Sequence, residues 1–280
     1  MITFVDCIFN LFMRTTEQSS HYDHLDAMST LEILKGINAE DCGVAVAVAQ
    51  TIPAIEKMVD GIVERVPRGG RIFYLGAGTS GRLGVVDASE IPPTYGVKDL
   101  FIGIMAGGDG AIRNAVEGAE DDWEQGWLDL QPFHPTKEDT VIGITASGGA
   151  PYVVGVIRKA REAGMLTGVI TNNSESLSTE AAEVPMVATV GPEFVTGSTR
   201  MKSGTSAKLI LNMISTAVMI RLGHVQGNKM VDMQLTNKKL VDRGTRMIME
   251  KTGITDYDQA KDLLLKYGQV RAAVDAYLKK

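Results

Sequence analysis

Gly76-Ala77-Gly78-Thr79-Ser80-Gly81-Arg82 follows the apolar run Arg71-Ile72-Phe73-Tyr74-Leu75 and precedes the helix-like stretch Leu83 to Ala88. Strand, glycine loop and helix in that order make an anion cradle. Glycines let backbone N–H groups converge, a helix start is electropositive, and the Thr79 and Ser80 hydroxyls can donate to phosphate oxygens. Gly78 and Arg82 complete this first candidate set. The spacing also fits a dinucleotide-binding GxGxxG, with Gly81 as the third glycine. Against a dinucleotide stand the Thr-Ser pair at the loop tip and the lack of an acidic residue ending a second strand about 20 residues on. A tight turn with no ligand is the plain alternative.

A second loop, Ala146-Ser147-Gly148-Gly149-Ala150-Pro151, also follows a strand and opens a helix, with proline where the first turn tolerates it. Ser147 and Gly148 are its candidate binding residues, with a helix cap the plain alternative for Ser147. A third segment, Gly191 to Thr205, gathers hydroxyls, glycines and two cations before a long apolar helix. Capping needs one or two such residues, so Ser198, Thr199, Arg200 and Lys202 are candidates for ligand contact. Two carboxylates stand out. Glu90, in Asp87-Ala88-Ser89-Glu90-Ile91-Pro92-Pro93, ends a helix before a Pro-Pro turn, and desolvation in a cleft would suit it to general acid/base work. Glu117 and Glu120 are spaced i,i+3 and would share one face of a helix. A solvated helix surface is the bland reading of both groups.

The elements that must hold these residues alternate. Strands are predicted at Arg71–Leu75, Leu100–Met105, Thr140–Thr145, Leu166–Thr171 and Val187–Val190, with helices over Ala111–Gly126 and Tyr152–Ala163 between them. That pattern predicts an α/β fold, a doubly wound parallel sheet flanked by helices, whose ligand crevice lies at the carboxyl ends of the strands. Ala45–Val66 reads as an amphipathic helix divided at Pro53, with Val48, Ile52, Ile55 and Val59 on one face. Ser203–Leu222 looks apolar around most of its circumference, which suits a core or a dimer interface. Tyr257–Lys266 and Val270–Tyr277 predict a short helical C-terminal appendage. The expected division is an N-terminal extension over 1–24, one α/β domain over 25–252 and the helical segment 253–280.

Among 280 residues, the net charge of −6 argues against general nucleic-acid binding but allows a small anionic ligand. Two cysteines, Cys7 and Cys42, with four scattered histidines give no metal-ligand spacing and fit a reducing cytoplasm. No metal site is expected. Met1–Phe12 is apolar but contains Asp6 and lacks a basic start, so it reads as a helix or as sequence ahead of a start at Met13 rather than as a signal peptide.

Leu75–Gly96 (LGAGTSGRLGVVDASEIPPTYG), Val116–Asp121 (VEGAED), Gly191–Lys208 (GPEFVTGSTRMKSGTSAK) and parts of Asn212–Asn237 resemble the N-acetylmuramic acid 6-phosphate etherase family. That family is related to the glucokinase regulatory protein and built on the sugar isomerase (SIS) fold. The likeness runs from about Leu25 to Thr252. It implies a cofactor-free lyase acting on a phosphosugar, a cytoplasmic homodimer, and catalytic carboxylates at Glu90 (the acid) and Glu120. Two positions depart from the family pattern. Gly149 and Ala150 stand where Arg and Thr are usual, so a cation and a hydroxyl are missing from the second loop. A phosphosugar sensor without turnover and an aldose–ketose isomerase are the competing expectations.

Overall fold

A computed structural model describes residues 14–235 and 237–279; the expectations for Met1–Phe12 and for Cys7 lie outside them. Ile72–Gly76 (β1), Phe101–Met105 (β2), Thr140–Ile144 (β3), Leu166–Thr171 (β4) and Val184–Val187 (β5) form one sheet. All neighbours are parallel, in the order β2-β1-β3-β4-β5. The fifth strand starts three residues before the predicted Val187, because Val184 and Met186 are the positions buried beside β4.

Helices cover both faces of this sheet. Register places Tyr74 beside Gly103 and Ile142, and Ile142 beside Gly168, so these four share a face. Against it pack Ile52–Arg65 (α3), whose Met58 reaches Gly168, and Gly78–Ser89 (α4), whose Gly84 lies against Tyr74. Gly143 points the other way, into Val153 and Ile157 of Pro151–Glu162 (α7). Thus strand alternation and the missing side chains at 84, 143 and 168 set the layers.

Three helical expectations are corrected. Ahead of α3 lie Thr30–Asp41 (α1) and Val44–Ala49 (α2), and Pro53 sits in the first turn of α3, where a missing N–H is harmless. Ile52, placed with the buried face by its spacing, is 49% exposed because the break at Thr51 changes the phase. No helix spans Ala111–Gly126. A single 3₁₀ turn at Asp109–Ile112 gives way to turns in which Gly118 has φ +71°, and Asp122 accepts hydrogen bonds from the Glu124 and Gln125 N–H groups. Such local side-chain bonds compete with helix formation, and helix resumes only at Gln125–Leu130 (α6). Lys202–Arg221 (α9) buries Ile210, Leu211, Ile214, Val218 and Met219, yet Met213 and Ile220 are exposed.

The contacts divide the chain into two units, and residue 252 lies inside the second. One takes the chain through Ala88 together with Phe101–Ile214; the other takes Ser89–Leu100 with the chain from Ser215 onward. The second unit contains Ile91–Tyr95 (α5), a two-residue hairpin (β6, Val225–Gln226; β7, Lys229–Met230) and the helices Lys238–Thr252 (α10), Tyr257–Tyr267 (α11) and Val270–Leu278 (α12). Val231, Met233, Ile248, Leu264 and Ala273 form its core. Gly96, at φ +74°, lets the α5 turn press on the Asp232 carbonyl, where a Cβ would collide. The Asp232 carboxylate accepts from Arg271 Nε at 2.9 Å and lies 3.0 Å from His224 Nδ1.

Burial works against the charge on Asp232, but Arg271 and His224 outweigh it and hold the carboxyl below its usual range. A depressed folded-state pKa stabilises above the unfolded value and is lost as pH falls through the folded one. Asp232→Asn should therefore lower the melting temperature at pH 7, and the gap from wild type should narrow below about pH 4, the ordinary Asp range. A gap that widens in acid would contradict this assignment.

Candidate active site

At the carboxyl end of β1, strand and helix touch backbone to backbone. A Cβ on Gly76 would stand 2.8 Å from Gly81 N, and one on Gly81 would collide with the Gly76 carbonyl. Helix α4 starts at Gly78 (φ +54°) rather than at Leu83, so the glycine loop is the helix's own first turn. Its early N–H groups have no intrahelical acceptor, and Thr79 and Ser80 stand half-buried among them. The start of α9 lies alongside, for a Cβ on Gly204 would be 3.5 Å from the Thr79 methyl group.

The second loop follows β3, the hydrogen-bonded neighbour of β1. Gly148 has φ +72°, and a side chain there would collide with Ser176 Oγ, at the N-cap of Leu177–Ala181 (α8). Ser147 does not cap α7, whose N-cap position is Ala150; its Oγ accepts from the Gly149 N–H at 3.3 Å. Asn173, just beyond β4, donates to the Ala146 carbonyl at 3.0 Å and to Thr16 Oγ1 at 3.2 Å. Thr16 is fully buried. Ser20 is fastened as well, its N–H to Thr196 Oγ1 and its own Oγ to the Phe194 carbonyl. Residues 14–20 are therefore part of the site's wall, a role their place in the sequence did not suggest.

The third segment is organised by Glu193. This fully buried carboxylate accepts from the N–H groups of Lys202 and Ser203, at 2.8 and 2.9 Å, and from Ser203 Oγ at 2.8 Å. The electropositive start of α9 is thus occupied by the protein's own anion. Lys202 is buried and ion-paired with Glu40. Burial opposes that carboxylate, but Lys202 and His21 hold it below its ordinary range. Arg82 is likewise engaged, donating to the Ala111 and Ile112 carbonyls at 2.8 Å each. Ser198 is half-buried and Arg200 exposed.

These loops enclose a cavity of about 330 Å³, lined by Gly78, Thr79, Ser80, Glu120, Thr145, Ser147, Ala150, Gly197 and Thr199, with Arg14 and Glu17 from the N-terminal segment. Arg82 and Glu117 line a smaller neighbouring cavity of about 180 Å³, to which Glu120 also belongs. Glu120 has no helix to hold it. Its backbone carbonyl accepts from the Tyr152 N–H at 2.9 Å, which hangs the turn from α7. Glu90, in the second unit, is the exposed single residue between α4 and α5.

A parallel five-stranded sheet with hydroxyl-bearing loops around a cavity at its carboxyl ends defines a SIS-type domain. The family model of the glucokinase regulatory protein N-terminal SIS domain matches residues 54–161. Two solved phosphoheptose isomerases share the fold. That of Francisella tularensis aligns with TM-score 0.51 and 17% identity over 69% of this chain and 100% of its own; that of Neisseria gonorrhoeae with 0.50 and 15% over 68% and 98%. Sequence relatives are far nearer. The N-acetylmuramic acid 6-phosphate etherase of Bacteroides thetaiotaomicron is 60% identical over 95% of this chain and 96% of its own length. Those of Porphyromonas gingivalis strain W83 and Cronobacter sakazakii are 57% and 50% identical, covering 96% and 89% of this chain and 98% and 84% of their own. The chain belongs to the N-acetylmuramic acid 6-phosphate etherase family.

Gly81→Ala tests the backbone contact under the cavity. Its Cβ would collide with the Gly76 carbonyl oxygen, a main-chain atom, so the expected loss is about 1–3 kcal/mol, as for other overpacked sites. Chemical denaturation measures it, and an unchanged midpoint would show that strand and helix can separate freely.

Proposed function

We infer that this chain is a carbon–oxygen lyase of cell-wall amino sugar recycling. It cleaves the D-lactyl ether of N-acetylmuramate 6-phosphate to N-acetylglucosamine 6-phosphate and D-lactate. The observation that carries this reading is identity of 60% to a protein of that name over nearly the full length of both chains. The cavity supports it, having room for a phosphosugar and a lining that includes the hydroxyl-bearing Thr79, Ser80, Ser147 and Thr199. The isomerases found by fold lend no activity to the reading, because at 15–17% identity they share architecture alone.

The elimination needs two proton transfers, and the hydration that follows needs two more, one from the water and one to C2. In the ring-opened sugar the lactyl oxygen sits β to the aldehyde. Removal of the C2 proton pushes electrons toward the carbonyl, and the C3–O bond breaks as the lactate oxygen takes a proton. Water then adds at C3 of the unsaturated aldehyde. The aldehyde is the electron sink, so the step calls for a base and an acid and no cofactor. We assign these duties to Glu90 and Glu120, with Glu90 as the acid by resemblance. Gly78, Thr79, Ser80, Ser147 and Gly148 are assigned to the phosphate. Ser198, Thr199 and Arg200 are assigned to the rest of the substrate. Arg82 and Lys202, through the bonds described above, hold the walls in place.

The reading extends to a cytoplasmic homodimer. Two cysteines in 280 residues suit a reducing compartment, and exposed Met213 and Ile220 on α9 offer apolar surface that a second subunit would cover. Light scattering on the purified chain should give twice the monomer mass; a monomer would remove the dimer from the proposal.

Incubation with N-acetylmuramate 6-phosphate should release D-lactate, and Glu90→Gln should abolish release while N-acetylglucosamine 6-phosphate still binds. Binding without release by the wild type would leave a sensor instead of an enzyme. Near-normal turnover by the variant would take Glu90 out of the mechanism.

A further inference from the structure

The cavity is to receive a phosphate ester carrying between one and two negative charges near neutral pH, yet two carboxylates, Glu17 and Glu120, already line it. The cations that the sequence motifs offer do not line it. Lys202 is paired with Glu40, Arg82 is bonded to the Ala111 and Ile112 carbonyls, and Arg200 is exposed and not among the residues that line it. Among the described lining residues Arg14 is the only cation. No carboxylate of the described residues lies within ion-pair distance of it.

We propose that Arg14 binds the sugar's phosphate group, acting as the cationic half of a subsite whose neutral half is Thr79, Ser80 and the Ser147 loop. The inference rests on the phosphosugar reading above and adds to it a residue from outside the three loops. Three features fix the guanidinium there. Its neighbours Thr15–Glu17 form a 3₁₀ turn, and Thr16 beside it is fully buried and bonded to Asn173, which also holds the Ala146 carbonyl of the Ser147 loop. Ser20 ties the far end of the segment to Phe194 and Thr196. Gly149 supplies the room. A Cβ at that position would overlap Arg14 Nη2 and stand 2.9 Å from its Cζ, so the guanidinium packs close to the loop's bare backbone, two residues beyond Ser147. A planar, permanently charged donor beside hydroxyl and N–H donors matches phosphate geometry.

The geometry supplies a test that does not depend on turnover. N-acetylglucosamine 6-phosphate has the phosphate but no lactyl carboxylate, so its affinity by calorimetry isolates the subsite. Arg14→Ala should weaken it about tenfold or more, with Arg14→Lys falling between, since loss of one charged hydrogen-bond donor has that effect. In turnover, KM should rise more than kcat falls. Gly149→Ala should displace the guanidinium and weaken binding in the wild-type background, yet add nothing once Arg14 is Ala. Product affinity unchanged within about twofold in Arg14→Ala would overturn the inference. So would a Gly149→Ala effect of equal size in both backgrounds, or a defect confined to the lactyl-bearing substrate. Melting curves identify any variant that fails to fold, in which case the Gly149→Ala arm with Arg14→Lys decides. Lactate release by the wild type is measured separately. Its absence would remove the etherase reading while leaving the Arg14 result to stand on product binding.

Discussion

The approach of β1 to α4, where Gly76 and Gly81 meet without side chains, is the constraint from which the rest of the cavity follows. It brings the first turn of a twelve-residue helix to the tip of a fully buried strand, with its free N–H groups facing outward. Gly84 and Gly103 continue the contact, one against Tyr74 and the other against the backbone of Val85, so the helix lies flat on the sheet along its length. Once α4 is fixed there, the start of α9 can settle beside Thr79. The distance between the two hydroxyl-bearing loops is then set by the spacing of β1 and β3, which are hydrogen-bonded neighbours.

Three helix starts converge on this region, and they are not equivalent. That of α9 is neutralised internally by Glu193, which takes two N–H groups and a hydroxyl. That of α7 carries Pro151 in its first turn, which removes one N–H. Only α4 presents its opening turn with two hydroxyls and no internal acid. An anion drawn to the cleft therefore finds its strongest backbone field at Thr79 and Ser80. The buried Glu193 acts on the wall instead, holding the Gly191–Met201 loop so that Gly197 and Thr199 reach the cavity.

Much of this was legible from residue order. Strands followed by glycine and hydroxyl clusters predicted the parallel sheet and the location of the crevice, and Thr79, Ser80, Ser147, Thr199 and Glu120 do line one cavity. What escaped were features set by side-chain competition and by distant chain. Glu117 and Glu120 share a small cavity although the helix that was to pair them does not form, because Asp122 and Gly118 favour turns. Glu193 gave no sign of capping a helix nine residues ahead. The N-terminal segment looked like an extension because nothing local shows that Thr16 will be buried beneath Asn173.

Cations were the hardest to place from sequence, for a physical reason. A lysine or arginine near a phosphate loop reads as a ligand, but the same charge is also a ready way to satisfy buried acceptors. Lys202 is 3% exposed and needs Glu40; Arg82 closes two carbonyls of a turn that has no helix to satisfy them. Both are thereby structural, and their removal would disturb the walls rather than the ligand alone. The charge that meets the ligand must come from a residue whose own folding role is light. Arg14 meets that condition: its segment is held by Thr16 and Ser20, and it lines the cavity with no ion pair to a carboxylate of the described residues. The balance at the cavity is thus set by three side chains, Arg14, Glu17 and Glu120, drawn from two distant parts of the chain.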